Sequence, residues 1–543
     1  MSFGYQANAA GDPLSNQEPV TEVYAVHGTD PEVQAYGMAK YSRSALSLRE
    51  SLAEINEQKA EKFLNTFYFQ YGHRSIADLA HVAFAIERLS ILAATVAVDE
   101  PRWDGQERST RYQDFQKSGY YVPNFGDDAA ARALYRETVD LLFAEYRHFS
   151  EEMFCYLLDR TPKPVEMKQD AYERTLRARA FDISRYLLPL AANTSLGQIV
   201  SARTLENQVS RLLSHTHAEV RRLGELLKRA AQEPAYNVGD AKGHELLEQI
   251  ERESPAAAER AREFLLRPVK VAPTLMKYAE SNAYEIETRR DLTAAAAELL
   301  AAIAIEPAPT VDLLDDDPLE VELATTLLYQ YSHYSYRQIR EAVTDLPEAR
   351  RREIVEIGLR HRGRYDEVTR AFCAGQQFRF DILMDIGGFR DMHRHRRCVQ
   401  LLQGYTDLHG YDVPECPGQP TLEEAGLLGE YTEAMDAALA AYRSLSVIPS
   451  PSTTLRTGSV EGPAVKNPDA AYLLPLGTRC RALFKMDFAE ALYISELRSG
   501  VAGHFSYRRV AWEMYQAVAR RHPSLAGYFR VSDIEQPVDL LKR

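Results

Sequence analysis

Arg394, His395, Arg396 and Arg397 stand consecutively in the stretch Phe389-Arg-Asp-Met-His-Arg-His-Arg-Arg-Cys-Val-Gln400. Two arginine forks flanking an imidazole can surround a phosphate or a polarised ring with planar, charge-assisted donors. A solvated basic turn is the plain alternative for so short a motif. A second group, Glu107-Arg-Ser109-Thr-Arg111-Tyr112, follows a loop containing Pro101, Trp103 and Gly105 and offers a carboxylate, a hydroxyl and a guanidinium. Taken alone, Glu107 and Arg111 read as an i,i+4 pair supporting a helix by roughly a few tenths of a kcal/mol. His73 follows Gly72 in a turn; Arg498 has Glu490 and Glu496 on its own helix as partners; Arg479 and Arg481 read as surface charge. His215 and His217 are two apart, but no third ligand is near them, so no metal site is expected.

These residues need elements to hold them. Phe378, Phe380, Ile382, Met384 and Ile386 make an apolar, strand-like run just before the basic cluster. Asp30-Pro31 opens a helix as N-cap and first-turn proline, and Ser47-Leu-Arg-Glu50 has capping-box spacing. Tyr71-Gly72-His73-Arg74-Ser75 is a turn, and Ala80-His-Val-Ala-Phe-Ala-Ile-Glu87 is a strand or the start of an apolar helix. Residues 129–160 are strongly helical, and 172–179 lead into Tyr186-Leu-Leu-Pro-Leu190. One long amphipathic helix is expected over 204–231, with Leu205, Val209, Leu212 and Leu213 on its apolar face.

The second half repeats this plan. Asp317-Pro318 echoes Asp30-Pro31, Phe378-Arg-Phe-Asp-Ile382 echoes Val82-Ala-Phe-Ala-Ile86, and Leu473-Leu-Pro-Leu476 echoes Leu187-Leu-Pro-Leu190. The separations are 287 (Asp30 to Asp317), 296 (Phe84 to Phe380) and 286 (Pro189 to Pro475), as an internal duplication would leave them. The join falls within 233–317, where prolines and an acidic run mark linker and cap material, and is placed near 270. The division expected is a loose arm over 1–20, one domain over 21–270 and a second over 271–543.

At 543 residues the chain exceeds one ordinary core. Its 45% apolar and 26% charged residues are those of a globular protein, and no apolar run reaches the ~20 residues of a membrane helix. Residues 1–18 are polar and do not read as a secretory signal. Five scattered cysteines without C-x-x-C spacing suggest neither a disulfide framework nor zinc, and point to a reducing cytoplasm. A net charge of −14 opposes binding to a nucleic-acid backbone, so an anionic ligand would need local clusters of arginine.

These landmarks resemble the flavin-dependent thymidylate synthase family in tandem, over nearly the whole chain. That family pairs R-H-R with E-x-S-x-R-Y after a G-H turn, and ends in L-P-L and a helix carrying N-A-R, an asparagine and L-R. The motifs are split here. The first half has Gly72-His73, Glu107-Arg-Ser109-Thr-Arg111-Tyr112, Arg185, and Ser201-Ala-Arg203 with Asn207, but Val98-Asp99-Glu100-Pro101 stands where R-H-R belongs, and Arg211 precedes Leu212 in place of L-R. The second half has Arg394-His395-Arg396 and Leu497-Arg498, but Leu402-Gln403-Gly404-Tyr405-Thr406 replaces E-x-S-x-R-Y, Gly363-Arg364 replaces G-H, and Asp487 and Tyr493 replace the asparagines.

The resemblance implies an α+β fold of two tandem thymidylate synthase-like domains, each a mixed sheet with long helices. It implies a composite site. FAD would be held by Arg394, His395 and Arg396 with His73, Ser75, Arg203 and Asn207; nucleotide would be held by Glu107, Ser109, Arg111, Arg185 and Arg498, the last activating the uracil. The implied reaction is reductive methylation of dUMP to dTMP, with methylenetetrahydrofolate and NADPH as co-substrates and no enzyme cysteine as nucleophile. The implied assembly is a homodimer acting as a pseudo-tetramer, with no nucleic acid or membrane as partner. A catalytically silent flavin- or nucleotide-binding homologue, and a flavin enzyme for another uracil compound, are the alternatives.

Overall fold

The computed structural model describes residues 29–40, 61, 64–65, 74–314, 318–363, 369–373, 378–415, 421–446, 467–527, 529–536 and 539–541. His73, residues 47–50, residues 315–317 and Arg364 lie outside these.

In the first half, β1 (His81–Ser90) turns Val82, Ile86 and Leu89 inward and leaves His81, Ala83, Ala85 and Glu87 exposed, the period-two pattern of a half-buried strand. β2 (Asp104–Glu107) and β3 (Asn193–Ser201) complete a sheet in the order β1-β3-β2. The register slips between Glu87 and Leu89, where Arg88 has φ 60°. Ser90 ends β1 and caps the helix Ile91–Ala97, its Oγ accepting from Ala93 N at 2.9 Å. The helix Ala129–Arg160 follows as expected and, at about 1.5 Å per residue, is about 48 Å long.

The second half builds β4 (Val311–Leu313), β5 (Phe378–Asp385), β6 (Val399–Leu402) and β7 (Arg479–Met486) in the order β4-β5-β7-β6. Every pairing in both sheets is antiparallel, within an α+β architecture. β5 is covered on both faces, because the helices Ala283–Leu300, Leu319–Tyr329, Tyr336–Thr344 and Glu348–Ile357 form a second apolar cluster that reaches Leu401 and Leu483. Charges caught in this layer are paired: Arg481 with Asp381 at 3.0 Å, and Lys485 with Glu322 at 2.7 Å. Arg481 is therefore not the surface charge expected, and Arg479 binds Asp412 at 2.5 Å.

The two Leu-Leu-Pro-Leu segments are not strands of either sheet. They cross at a bridge between Pro189 and Pro475. Proline cannot donate, so the flanking amides do. Leu190 N binds Leu474 O (3.0 Å) and Leu476 N binds Leu188 O (2.9 Å); Ala191 N binds Tyr472 O and Gly477 N binds Tyr186 O, both at 2.9 Å. Each bond has its mate 286 residues on, which is the signature of a two-fold relation between the halves. The main apolar core draws on both halves.

The single helix expected over 204–231 is two, Ala202–Leu213 and Ala218–Gln232, folded into a hairpin. Ser214 closes the first, and Gly224 permits the return, since a Cβ there would lie 3.1 Å from Leu212 Cβ. The second half repeats the hairpin as Phe488–Ser499 and Phe505–Arg521. The 3-10 turns Arg74–Leu79 and Arg370–Phe372 precede β1 and β5.

Candidate active site

Asp385 ends β5 and caps the helix Ile386–Met392, accepting from Gly388 N at 2.7 Å. This short helix delivers the basic cluster to the boundary between the halves. His395 is buried, with Nδ1 3.6 Å from Glu490 Oε1. Its Nε2 accepts from Arg498 Nε at 2.7 Å, so the ring proton belongs on Nδ1. Burial, with the cations Arg498 and Arg396 nearby, lowers the His395 pKa and keeps the imidazole neutral. Arg498 thus binds the R-H-R imidazole rather than a glutamate of its own helix. Arg396 lies 4.6 Å over the ring of Trp103, whose Nε1 donates to Gln198 at 2.7 Å.

The first half supplies the other wall. Glu107 ends β2 and pairs with Arg390, and Arg111 pairs with Asp182 at 2.7 and 3.2 Å; the i,i+4 helical pairing of Glu107 with Arg111 is not formed. Arg111 also donates to Tyr507 Oη at 2.8 Å and to the Ala502 carbonyl at 3.3 Å, both in the second half. Burial works against its charge, but Asp182 overrides this and the Arg111 pKa ends raised. Tyr507 stands between the two arginines, 5.7 Å from the guanidinium of Arg111 and 5.4 Å from that of Arg498. Arg185, 1% exposed, reaches across to Asp391 Oδ2 at 3.1 Å. Burial would raise Asp391, yet Arg185, Arg111 and Arg394 hold it at about 2. Arg185 Nε and Nη2 have no hydrogen-bond partner among the described residues, and neither has Arg396 Nε.

The structure therefore brings together Arg394, His395, Arg396 and Arg498 from one half with Glu107, Arg111 and Arg185 from the other. Ser109 Oγ accepts from Arg111 N at 3.2 Å, which shapes the turn bearing Arg111. Arg203 binds Asp78 at 3.3 Å in the 3-10 turn that carries exposed Ser75, and Asp78 also faces Arg102 at 3.5 Å, beside Trp103. Asn207 lies one turn along from Arg203. Leu212 stands opposite Arg498 on the matching helix, so L-R is absent from the first half as expected, and Arg211, one position earlier, binds Glu100 at 2.8 Å. His217 pairs with Asp469 at 3.0 Å and stacks on His215. Sequence reasoning missed Trp103, Tyr507, Asp182 and Asp391; only Trp103, one of two tryptophans, carried a compositional hint. A cavity of about 280 Å³ lined by Met384, Asp412, Arg479, Phe505 and Ser506 includes, of the predicted residues, none.

A UPF0159 protein of Chlamydia muridarum is 26% identical over 551 residues, 95% of this chain and 92% of that protein. A flavin-dependent thymidylate synthase of Clostridium tetani is 25% identical over 179 residues, 33% of this chain and 68% of that protein. The crystal structure of thymidylate synthase X from Helicobacter pylori with FAD and dUMP matches 37% of this chain and 88% of its own, at 16% identity and a TM-score of 0.25. Among the described residues no helix is long and apolar enough to cross a membrane. The profile described as thymidylate synthase complementing protein matches residues 25–235 and again 319–524, and the chain belongs to that family, in tandem.

Proposed function

We propose that this protein is a flavin-dependent thymidylate synthase that methylates dUMP to dTMP at a site shared between its halves. The observation that carries the reading is the meeting of Arg498 and His395 with Arg111 across the boundary, around Tyr507. In this reading Arg394, His395 and Arg396 bind FAD together with His73, Ser75, Arg203 and Asn207. Glu107, Ser109, Arg111, Arg185 and Arg498 bind the nucleotide.

The residues suit such anions. Two buried, unpartnered donors on Arg185 are what a phosphate oxygen would satisfy, and an unmatched buried donor is otherwise costly. Arg111 is held in place by Asp182 and presents a fixed charge, so little reorganisation is needed on binding. Neutral His395 accepts from Arg498 and so orients that guanidinium, which would stabilise negative charge developing on the uracil. Bound FAD, reduced by NADPH, would supply the hydride, and methylenetetrahydrofolate the carbon. We place the join near residue 270, in the stretch between the helix Pro255–Leu265 and the helix Ala283–Leu300. The assembly is a homodimer acting as a pseudo-tetramer in the cytoplasm.

Titration of FAD into the purified protein tests the reading. Arg394→Ala, at an exposed guanidinium, should weaken FAD binding; an unchanged affinity ends the composite site. Asp487, where the family has an asparagine, is engaged as a helix cap and with Arg397 at 2.7 Å, which favours a silent binding homologue as second reading. FAD-loaded protein that fails to rescue a thymidine auxotroph selects that second reading.

A further inference from the structure

The internal two-fold axis relates the site just described to a second location in the same chain. Strand registers fix the correspondence: Glu107 faces Leu196 on β3 as Leu402 faces Ala482 on β7. By that count Asp99, Glu100 and Pro101 stand where Arg394, His395 and Arg396 do. Thr406 replaces Arg111, Leu402 replaces Glu107, Ala471 replaces Arg185 and Val220 replaces Tyr507. Leu212 is the mate of Arg498, and Arg211, one position earlier on the matching helix, makes the corresponding contact. Arg211 Nε meets Glu100 Oε1 at 2.8 Å where Arg498 Nε meets His395 Nε2 at 2.7 Å.

The second location closes on itself. Arg370 Nη1 binds Asp99 Oδ1 at 2.5 Å and its Nη2 binds the Asp99 carbonyl. Arg211 adds a bond to Val96 O at 2.9 Å. Both guanidinium groups are thus spent on carboxylates of the chain, and Arg394, Arg396, Arg111 and Arg185 have no cationic mates here, so an anion arriving here meets Asp99 and Glu100. The closure also reaches the first site. Asp99 Oδ1 stands 3.4 Å from His393 Nε2; His393 Nδ1 binds Gln400 Oε1 at 2.8 Å; Gln400 Nε2 donates to the carbonyl of His395 at 2.7 Å.

We propose that this second location is a ligand-free ion-pair brace, which holds the base of the Arg394–Arg396 loop and leaves each chain with a single flavin–nucleotide site. The count of sites rests on the function proposed above; the brace does not. Two measurements on the full-length protein separate them. FAD titration followed by absorbance should saturate at one FAD per chain, and Glu100→Gln should leave that stoichiometry unchanged. Urea unfolding of the FAD-free protein should show lowered midpoints for Glu100→Gln and for Arg211→Met, with the double variant no worse than the more damaging single one. Two FAD per chain, or additive effects in the double variant, overturns the proposal. Absence of FAD binding in the wild type defeats the composite site and the count with it, and the unfolding midpoints then decide the brace alone.

Discussion

Across the internal axis, contacts of the scaffold come in matched pairs, while those at the two related pockets do not. His217 reaches Asp469 at 3.0 Å, and 287 residues on His504 reaches the carbonyl of Asp182 at 2.9 Å. Tyr120 bonds Asp140 and Tyr411 bonds Asp436, each at 3.0 Å, and Gly119 and Gly410, at φ 69° and 68°, make the same turn before them. Ser90 donates to Glu219 where Ser506 donates to Asp385, with hydroxyl and carboxylate exchanged between strand end and helix. A packed interior tolerates such an exchange because both partners change together. A pocket facing a ligand has no partner within the chain to compensate, so one copy can lose its cations once the other suffices.

The largest expected effect is at the arginine that only one half has. Arg111→Met removes the two-point partner of buried Asp182 and should destabilise by about 3–5 kcal/mol in urea, whereas Thr406→Val at the related position should cost within about 1 kcal/mol. Equal losses would erase the distinction between the pockets. Next comes the exchanged pair. Burial and the charge of Asp412 raise the fully buried Asp385 from 3.8 to about 6. The native state then holds a proton that the unfolded chain releases. Its stabilising contribution is complete below pH 3.8 and is lost as pH rises through 6. Asp385→Asn should flatten that fall and leave the variant roughly 3 kcal/mol ahead of wild type at pH 7, read from urea midpoints at several pH values. A parallel pH course for the two proteins would mean Asp385 ionises freely. The smallest effect is expected from Tyr507→Phe, which removes the hydroxyl from Arg111 but keeps the ring between the arginines. It should raise the KM for dUMP by about tenfold, the equivalent of about 1.4 kcal/mol, with little change in unfolding; an unaltered KM would deny Tyr507 a part in positioning Arg111.

Much of the scaffold could be read from local pattern. The helix over 129–160 and the apolar strand before the R-H-R cluster follow from spacing alone, and the three landmark separations anticipated the axis. The hairpin at 214–217 could not be read, because apolar periodicity continues through it and only the fit of Gly224 against Leu212 reveals the reversal. Arg481 looked like surface charge because its partner, Asp381, is 100 residues away on the neighbouring strand. Trp103 and Tyr507 went unassigned for the same reason: each acts on an arginine from the opposite half.

By itself the sequence determined that two copies of one unit are joined and that each lacks what the other keeps, since residue type and separation are local, countable properties. Tertiary structure alone decided which survivors meet. The axis through Pro189 and Pro475 carries Arg111 and Arg185 to Asp391 and Tyr507, and the same rotation turns Asp99 and Glu100 onto Arg370 and Arg211. Charge complementarity acts over a few ångströms of space, and no count along the chain measures that distance.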